Sequence, residues 1–274
     1  MHVDAPIGIF DSGVGGLTVL RALREAFPRE RFIYLGDTAR VPYGSKSPET
    51  VSRYSLNIAA QLIDEGCRAI VVACNTASAY AADALRSNFD VPIIDVVAPM
   101  AAYVARVSHA HTLILGTRGT IASGAYIQAL AKNAPALKVT QQACPLFVPL
   151  VEEGWTEGPV PAEVADRYLQ EAFAKGIPDH IVLGCTHYPL LRQVIMESAQ
   201  RLAPGVDIKI VDSGTPTVEA LRAQLPSIGG PAQGEPALVR YLVTDDPGTF
   251  APLAQQFLGE NVQSAEHIDI LMRY

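Results

Sequence analysis

Residues 69–79 read AIVVACNTASA, and residues 180–190 read HIVLGCTHYPL. Each is a short apolar run that stops at a cysteine, Cys74 or Cys185, and passes at once into Asn75-Thr76 or Thr186-His187. A strand that is apolar at every position, not at alternate ones, is buried on both faces, as in a parallel sheet covered by helices. Similar runs recur as IGIF (7–10), RFIYLG (31–36), VPIID (91–95), TLILG (112–116) and DIKIV (207–211). Between them lie stretches of helical period. Ser47-Pro48-Glu49 is a helix-start signal. Val51, Tyr54, Ile58 and Leu62 then share one helix face. This alternation predicts a doubly wound α/β architecture.

The runs also echo one another. IGIF leads into the polar tip Asp11-Ser12-Gly13, and a later run ends in Cys74; TLILG leads into Thr117, and a later run ends in Cys185. Strand–turn–helix units repeat in any α/β protein, so chance is the alternative to duplication. We read the echo as duplication, giving two similar doubly wound parallel-sheet lobes whose cysteines face each other across a cleft. The stretch PSIGGPAQGEP (226–236) reads as a surface loop.

Bulk properties narrow the function. The chain has 274 residues, 49% of them apolar, which suits a folded protein with a large core. A net charge of −7 argues against a nucleic-acid partner, which needs a basic footprint. A small anionic substrate stays open, because a few aimed backbone N–H groups hold a carboxylate. No apolar run reaches the roughly 20 residues of a membrane span. MHVDAPIGIF carries no secretory pattern. The expectation is a cytoplasmic protein without membrane or nucleic-acid partners. Its four cysteines, Cys67, Cys74, Cys144 and Cys185, would stay reduced.

Cys74 and Cys185 are the candidates for chemistry. The carboxyl ends of parallel strands are where open α/β sheets bind ligands, and the start of the next helix favours thiolate there. A free cysteine is more often a small buried hydrophobe; two in matching contexts tip the balance to function. Cys67 and Cys144 lack that context and read as structural. No C-x-x-C occurs and C-x-H at 185–187 is too tight for common zinc pairs, so no metal is expected. A Cys185–His187 nucleophile pair, as in a thiol amidase, competes but leaves Cys74 unexplained. The segment Asp11-Ser12-Gly13-Val14-Gly15-Gly16 has neither a Walker lysine nor a full dinucleotide fingerprint. It reads as a turn that holds a carboxylate, with Asp11 taking an ammonium group, or as a helix start capped by Asp11 or Ser12. Gly36–Ser45 (GDTARVPYGS) reads as a polar loop on the same sheet edge.

Taken together, IFDSGVGGLTVL, GDTARVPYGSKS, VVACNTASA, FVPLVEEG and VLGCTHYPLL resemble the glutamate racemases of the aspartate/glutamate racemase superfamily, in that family's order, with VDSG (211–214) continuing it. The resemblance implies two α/β lobes, 1–97 plus 208–274 and 98–207, with the active site between them. It implies cofactor-independent interconversion of L- and D-glutamate, supplying D-glutamate for peptidoglycan synthesis and so for cell wall and shape, by a chain that is commonly a homodimer. Cys74 and Cys185 match the catalytic pair, and Asp11 and His187 the residues that assist them. Asp37 and Glu152 match further groups tied to proton transfer. Ser12, Tyr43, Gly44, Asn75, Thr76, Thr186 and His187 match substrate-binding positions; Thr117 is a weaker match.

Inversion by proton exchange needs one base on each face of the α-carbon, one starting as thiolate and the other as thiol. The rival is a pyridoxal enzyme, which needs a Schiff-base lysine. Of Lys46, Lys132, Lys138, Lys175 and Lys209, only Lys46 lies near a motif, and it reads as a solvated residue before a helix. Aspartate or hydantoin racemisation, and a binding protein without catalysis, remain as alternatives.

Overall fold

The computed structural model describes residues 3–232, 239–262 and 264–274. The chain begins with β1 (Ile7–Asp11), α1 (Leu17–Ala26), β2 (Phe32–Gly36), α2 (Pro48–Asp64), β3 (Ala69–Val72), α3 (Asn75–Asn88) and β4 (Ile93–Asp95). It crosses through α4 (Val97–Val107) into β5 (His111–Gly116), α5 (Arg118–Ala122), α6 (Ala125–Asn133), β6 (Lys138–Ala143), α7 (Phe147–Glu152), α8 (Pro159–Phe173), β7 (His180–Gly184), α9 (Arg192–Leu202) and β8 (Lys209–Val211). It returns through α10 (Gly214–Gln224), β9 (Arg240–Val243), α11 (Pro247–Leu258) and β10 (Glu266–His267).

All strands pair in parallel, in two sheets ordered β10-β9-β2-β1-β3-β4 and β6-β5-β7-β8. The four strands of the first sheet that end at its β4 edge, β2-β1-β3-β4, have the same order as the second, β6-β5-β7-β8. The two cysteine-ended runs occupy the equivalent places, β3 beside β1 and β7 beside β5. The sequence echo thus corresponds to a repeated topology. Every residue of β1, β3 and β7 is buried, as their unbroken apolar runs require.

The helix start at Ser47 is as read. Its hydroxyl accepts from the Thr50 N–H at 3.3 Å, Pro48 follows, and Val51, Ile58 and Leu62 point into the core. One continuous apolar cluster joins the lobes, with Ile9 and Leu20 on one side and Leu115, Leu183, Phe147 and Tyr188 on the other. Helix α10 packs on both α1 and α4 at that junction.

Three expectations need correction. Strand β8 pairs with β7, Ile181 opposite Ile210, so 209–211 belongs to the second sheet and not to a first lobe resuming at 208. Strands β6, β9 and β10 were not anticipated: KVTQQA is a polar, half-exposed edge strand, and the others are short. The stretch read as a loop at 226–236 begins as a 3₁₀ turn, Leu225–Ile228, with Ile228 and Ala232 buried; positions 233–236 lie outside the described residues. That turn is held by Arg68, whose buried guanidinium donates to the carbonyls of Ile228 (2.9 Å) and Gly230 (2.8 Å) and pairs with Glu30 at 2.6 Å. Among the described residues no helix is long and apolar enough to cross a membrane.

Candidate active site

Between the two sheets lies a cavity of about 200 Å³. Ser12, Val41–Ser45, Cys74, Asn75 and Thr76 line it from the first lobe. Thr117, Arg118, Pro145, Val148, Pro149, Cys185, Thr186 and His187 line it from the second. Both thiols are nearly buried, Cys74 at 5% and Cys185 at 7% exposure. Cys67 and Cys144 are buried elsewhere and do not line it. Lys46 does not line it either. Among the described residues no three His, Cys, Asp or Glu side chains form a metal-holding group.

Cys74 is the N-cap of α3: its sulfur accepts from the Ala77 N–H at 3.4 Å and stands 3.8 Å from the Ser12 hydroxyl. The helix start was expected to favour thiolate here. The Ala77 N–H does pull that way, as does Ser12, but burial and then the charge of Asp11 outweigh them and push the thiol up to about 12.

Cys185 follows β7 directly, and His187 lies just beyond it. His187 is buried, its Nε2 3.0 Å from Glu152 Oε1 at the end of α7. Burial works against a charged ring, but pairing with the Cys185 sulfur and with Glu152 outweighs it and raises His187 to about 10. Phe257 of α11 packs edge-on against the imidazole, ring centres 5.2 Å apart. Gly15 lies beneath it: a Cβ there would fall 2.4 Å from Nδ1 and 2.3 Å from Thr186 Oγ1.

Three predicted residues stand behind the lining. Asp11 is fully buried; its carboxylate accepts from the Gly13 N–H at 2.9 Å and, more weakly, from the Thr186 hydroxyl at 3.4 Å. Burial raises its pKa against the opposing charge of His187. Neither Asp11 nor Ser12 caps α1, whose N-cap is Gly16 without a side-chain bond. Asp37 is sealed behind Tyr43, its carboxylate accepting from the phenol hydroxyl at 2.5 Å and from the Thr244 hydroxyl at 2.9 Å. Glu152 reaches the cavity only through His187.

The remaining predicted residues meet at the cavity. Thr76 and Thr117 approach across the lobes at 3.0 Å and close a triangle with Thr120 at 3.1 and 3.0 Å. Gly44 abuts Thr117, where a Cβ would come within 2.8 Å. Asn75, which lines the cavity, is 2% exposed, and its Nδ2 is a buried donor with no hydrogen-bond partner among the described residues. Sequence reasoning missed Arg118, Ser45, Thr120 and Thr18, whose hydroxyl bonds the Thr186 carbonyl at 3.1 Å from the opposite lobe. Thr18 and Ser45 lie inside quoted motifs, so only their surroundings are out of sight in the sequence.

The matching strand orders, with a thiol at the end of the third strand of each, define a class of protein. The chain belongs to the Asp/Glu/hydantoin racemase family, whose model matches residues 7–221. The relatives that it resembles at 41–47% identity include glutamate racemases. The glutamate racemase of Geobacter metallireducens is 47% identical over 257 residues, 92% of either chain. The structure is similar to that of Thermus thermophilus glutamate racemase in complex with beta-chloro-D-alanine (TM-score 0.87, 44% identity, 98% of this chain and 99% of that one). It is also similar to Francisella tularensis glutamate racemase in complex with D-glutamate (TM-score 0.89, 33% identity, 98% and 99%).

Proposed function

We propose that the chain interconverts L- and D-glutamate, with Cys74 and Cys185 as the two bases and no cofactor. The observation that carries this is the pair of nearly buried thiols, one from each lobe, lining one small cavity. The glutamate racemases among its relatives support glutamate as the substrate.

In the resting site Cys74 is a thiol and therefore an acid. Cys185, beside the cationic His187, takes the base role. The Cys185 sulfur removes the α-proton, forming S–H; the electron pair passes to the α-carbon and its carboxylate; Cys74 delivers its proton to the opposite face and becomes thiolate. The reverse reaction runs the same path backwards. Carbanion-like charge on the carboxylate is met by the Asn75 amide, the Thr76 and Thr186 hydroxyls and the N–H groups at the two helix starts. Closing the cleft over the substrate would exclude water and protect the carbanion-like intermediate from protonation at random. Asp11 and the His187–Glu152 pair act behind the thiols, and Asp37 acts by fixing Tyr43.

Purified protein, reduced and without added cofactor, should racemise glutamate in preference to aspartate. Turnover of aspartate or a hydantoin alone would move the reading elsewhere in the family. We further propose a cytoplasmic homodimer whose D-glutamate feeds peptidoglycan synthesis. A monomer by sedimentation, or growth without D-glutamate after loss of the enzyme, would remove those parts.

A further inference from the structure

We propose that Tyr126, in the second lobe, is a positioning residue that sets the orientation of the Asn75 amide in the first lobe and aims its NH₂ group at the substrate carboxylate. The proposal rests on the racemase reading above.

Helix α6 starts after Gly124, whose φ of 67° suits glycine, and its second residue, Tyr126, is wholly buried. The phenol sits among Met100, Ile114 and Leu130. Its hydroxyl crosses to the other lobe and donates to Asn75 Oδ1 at 2.6 Å. Its ring presses on Gly184, where a Cβ would lie 3.2 Å from Cε2. Asn75 directly follows Cys74, and Gly184 directly precedes Cys185. One side chain thus touches both cysteine-bearing segments.

A side-chain amide can turn over by half a revolution with little change of shape, exchanging its acceptor and its donors. The exchange matters here, because a carboxylate only accepts. Burial, and then the charges of Asp95 and Cys185, raise the pKa of Tyr126, so its hydroxyl keeps its proton. That proton needs an acceptor, and Asn75 Oδ1 supplies one. In the turned amide the phenol oxygen could accept from Nδ2, but the phenol proton would be stranded and Oδ1 would face the substrate's negative charge. Tyr126 therefore selects the form in which Nδ2, buried and unpartnered, is left as the free donor of a residue that lines the cavity. The thiols sit at the strand ends; the donor that greets the carboxylate is set from the opposite lobe.

Tyr126→Phe keeps the ring and removes only the O–H. kcat/KM for glutamate should fall about 10-fold in both directions, mostly through KM, as for the loss of one aimed hydrogen bond. Asn75→Ala should lose at least as much, and adding Tyr126→Phe to it should cost nothing more. Losses that multiply in the double variant would overturn the proposal. Neutron diffraction of the unliganded protein tests the same assignment without turnover: the Tyr126 deuteron should point at Asn75 Oδ1 with the amide deuterons toward the cavity, and a reversed amide would overturn it. A wild-type protein that fails to racemise glutamate would count against the functional reading, while the neutron map still decides the orientation.

Discussion

His187 and Glu152 meet through Nε2 and Oε1 at 3.0 Å, the imidazole buried and the carboxylate half in solvent. A charged ring is thereby held next to Cys185 at neutral pH, and its titration is open to measurement. A histidine whose folded pKa, here about 10, exceeds its unfolded value stabilises the fold below that unfolded value. The contribution is lost as pH climbs from about 6.5 toward the folded value. Unfolding by urea should show stability falling across that window, and Glu152→Gln should flatten the fall. The alkaline limb of kcat/KM should move to lower pH in the same variant. Identical profiles for both proteins would break the link between Glu152 and the ring's charge.

Removal of either sulfur should stop turnover without unfolding the chain. Cys74→Ala and Cys185→Ala should each lower racemisation by at least about 10²–10⁴-fold, the usual worth of a proton-transfer group. Circular dichroism of both variants should match the wild type, since each loses only one small side chain. Full activity in either would end the two-base assignment.

Gly15 lies under Thr186 and His187 with no room for a methyl group. Gly15→Ala should cost about 1–3 kcal/mol of stability by overpacking and displace the ring from Cys185, so activity should drop with it. Thermal unfolding and turnover on one sample check both; a variant as stable and as active as wild type would contradict the packing seen here.

Arg68 and Glu30 form an ion pair with almost no exposure, and neither lines the cavity. Arg68→Met leaves Glu30 buried and unpaired, which should cost about 3–5 kcal/mol by urea unfolding. Replacing both partners with apolar residues should recover most of that loss, and racemisation by the folded fraction should not change. A single variant within error of wild type would mean that the turn at 225–232 is held otherwise.

How much of this was legible beforehand follows from the physics of each element. Strands β1, β3 and β7 announce themselves because central parallel strands are apolar throughout. Strand β6, KVTQQA, does not, because an edge strand facing solvent need not be apolar. The thiols, Asn75, Thr76, Thr186 and His187 could be found because each sits at a strand end inside a contiguous motif. Tyr126 and Thr18 could not be assigned roles, because their partners, Asn75 and Thr186, lie in the opposite lobe and no local pattern records a contact across a cleft. The net shift of the Cys74 thiol is hidden for a related reason: the helix N–H is visible in sequence, but the depth of burial and the neighbouring Asp11 charge are not.

The most direct test of the central claim is racemisation of L-glutamate in D₂O without cofactor, followed by circular dichroism and α-proton NMR at early times. Two-base exchange predicts falling optical activity, deuterium at the α-carbon of the D-glutamate formed, and almost none in the L-glutamate recovered. Deuterium entering both enantiomers equally from the outset would point to one base serving both faces, and unchanged optical activity with reduced thiols would contradict the account altogether.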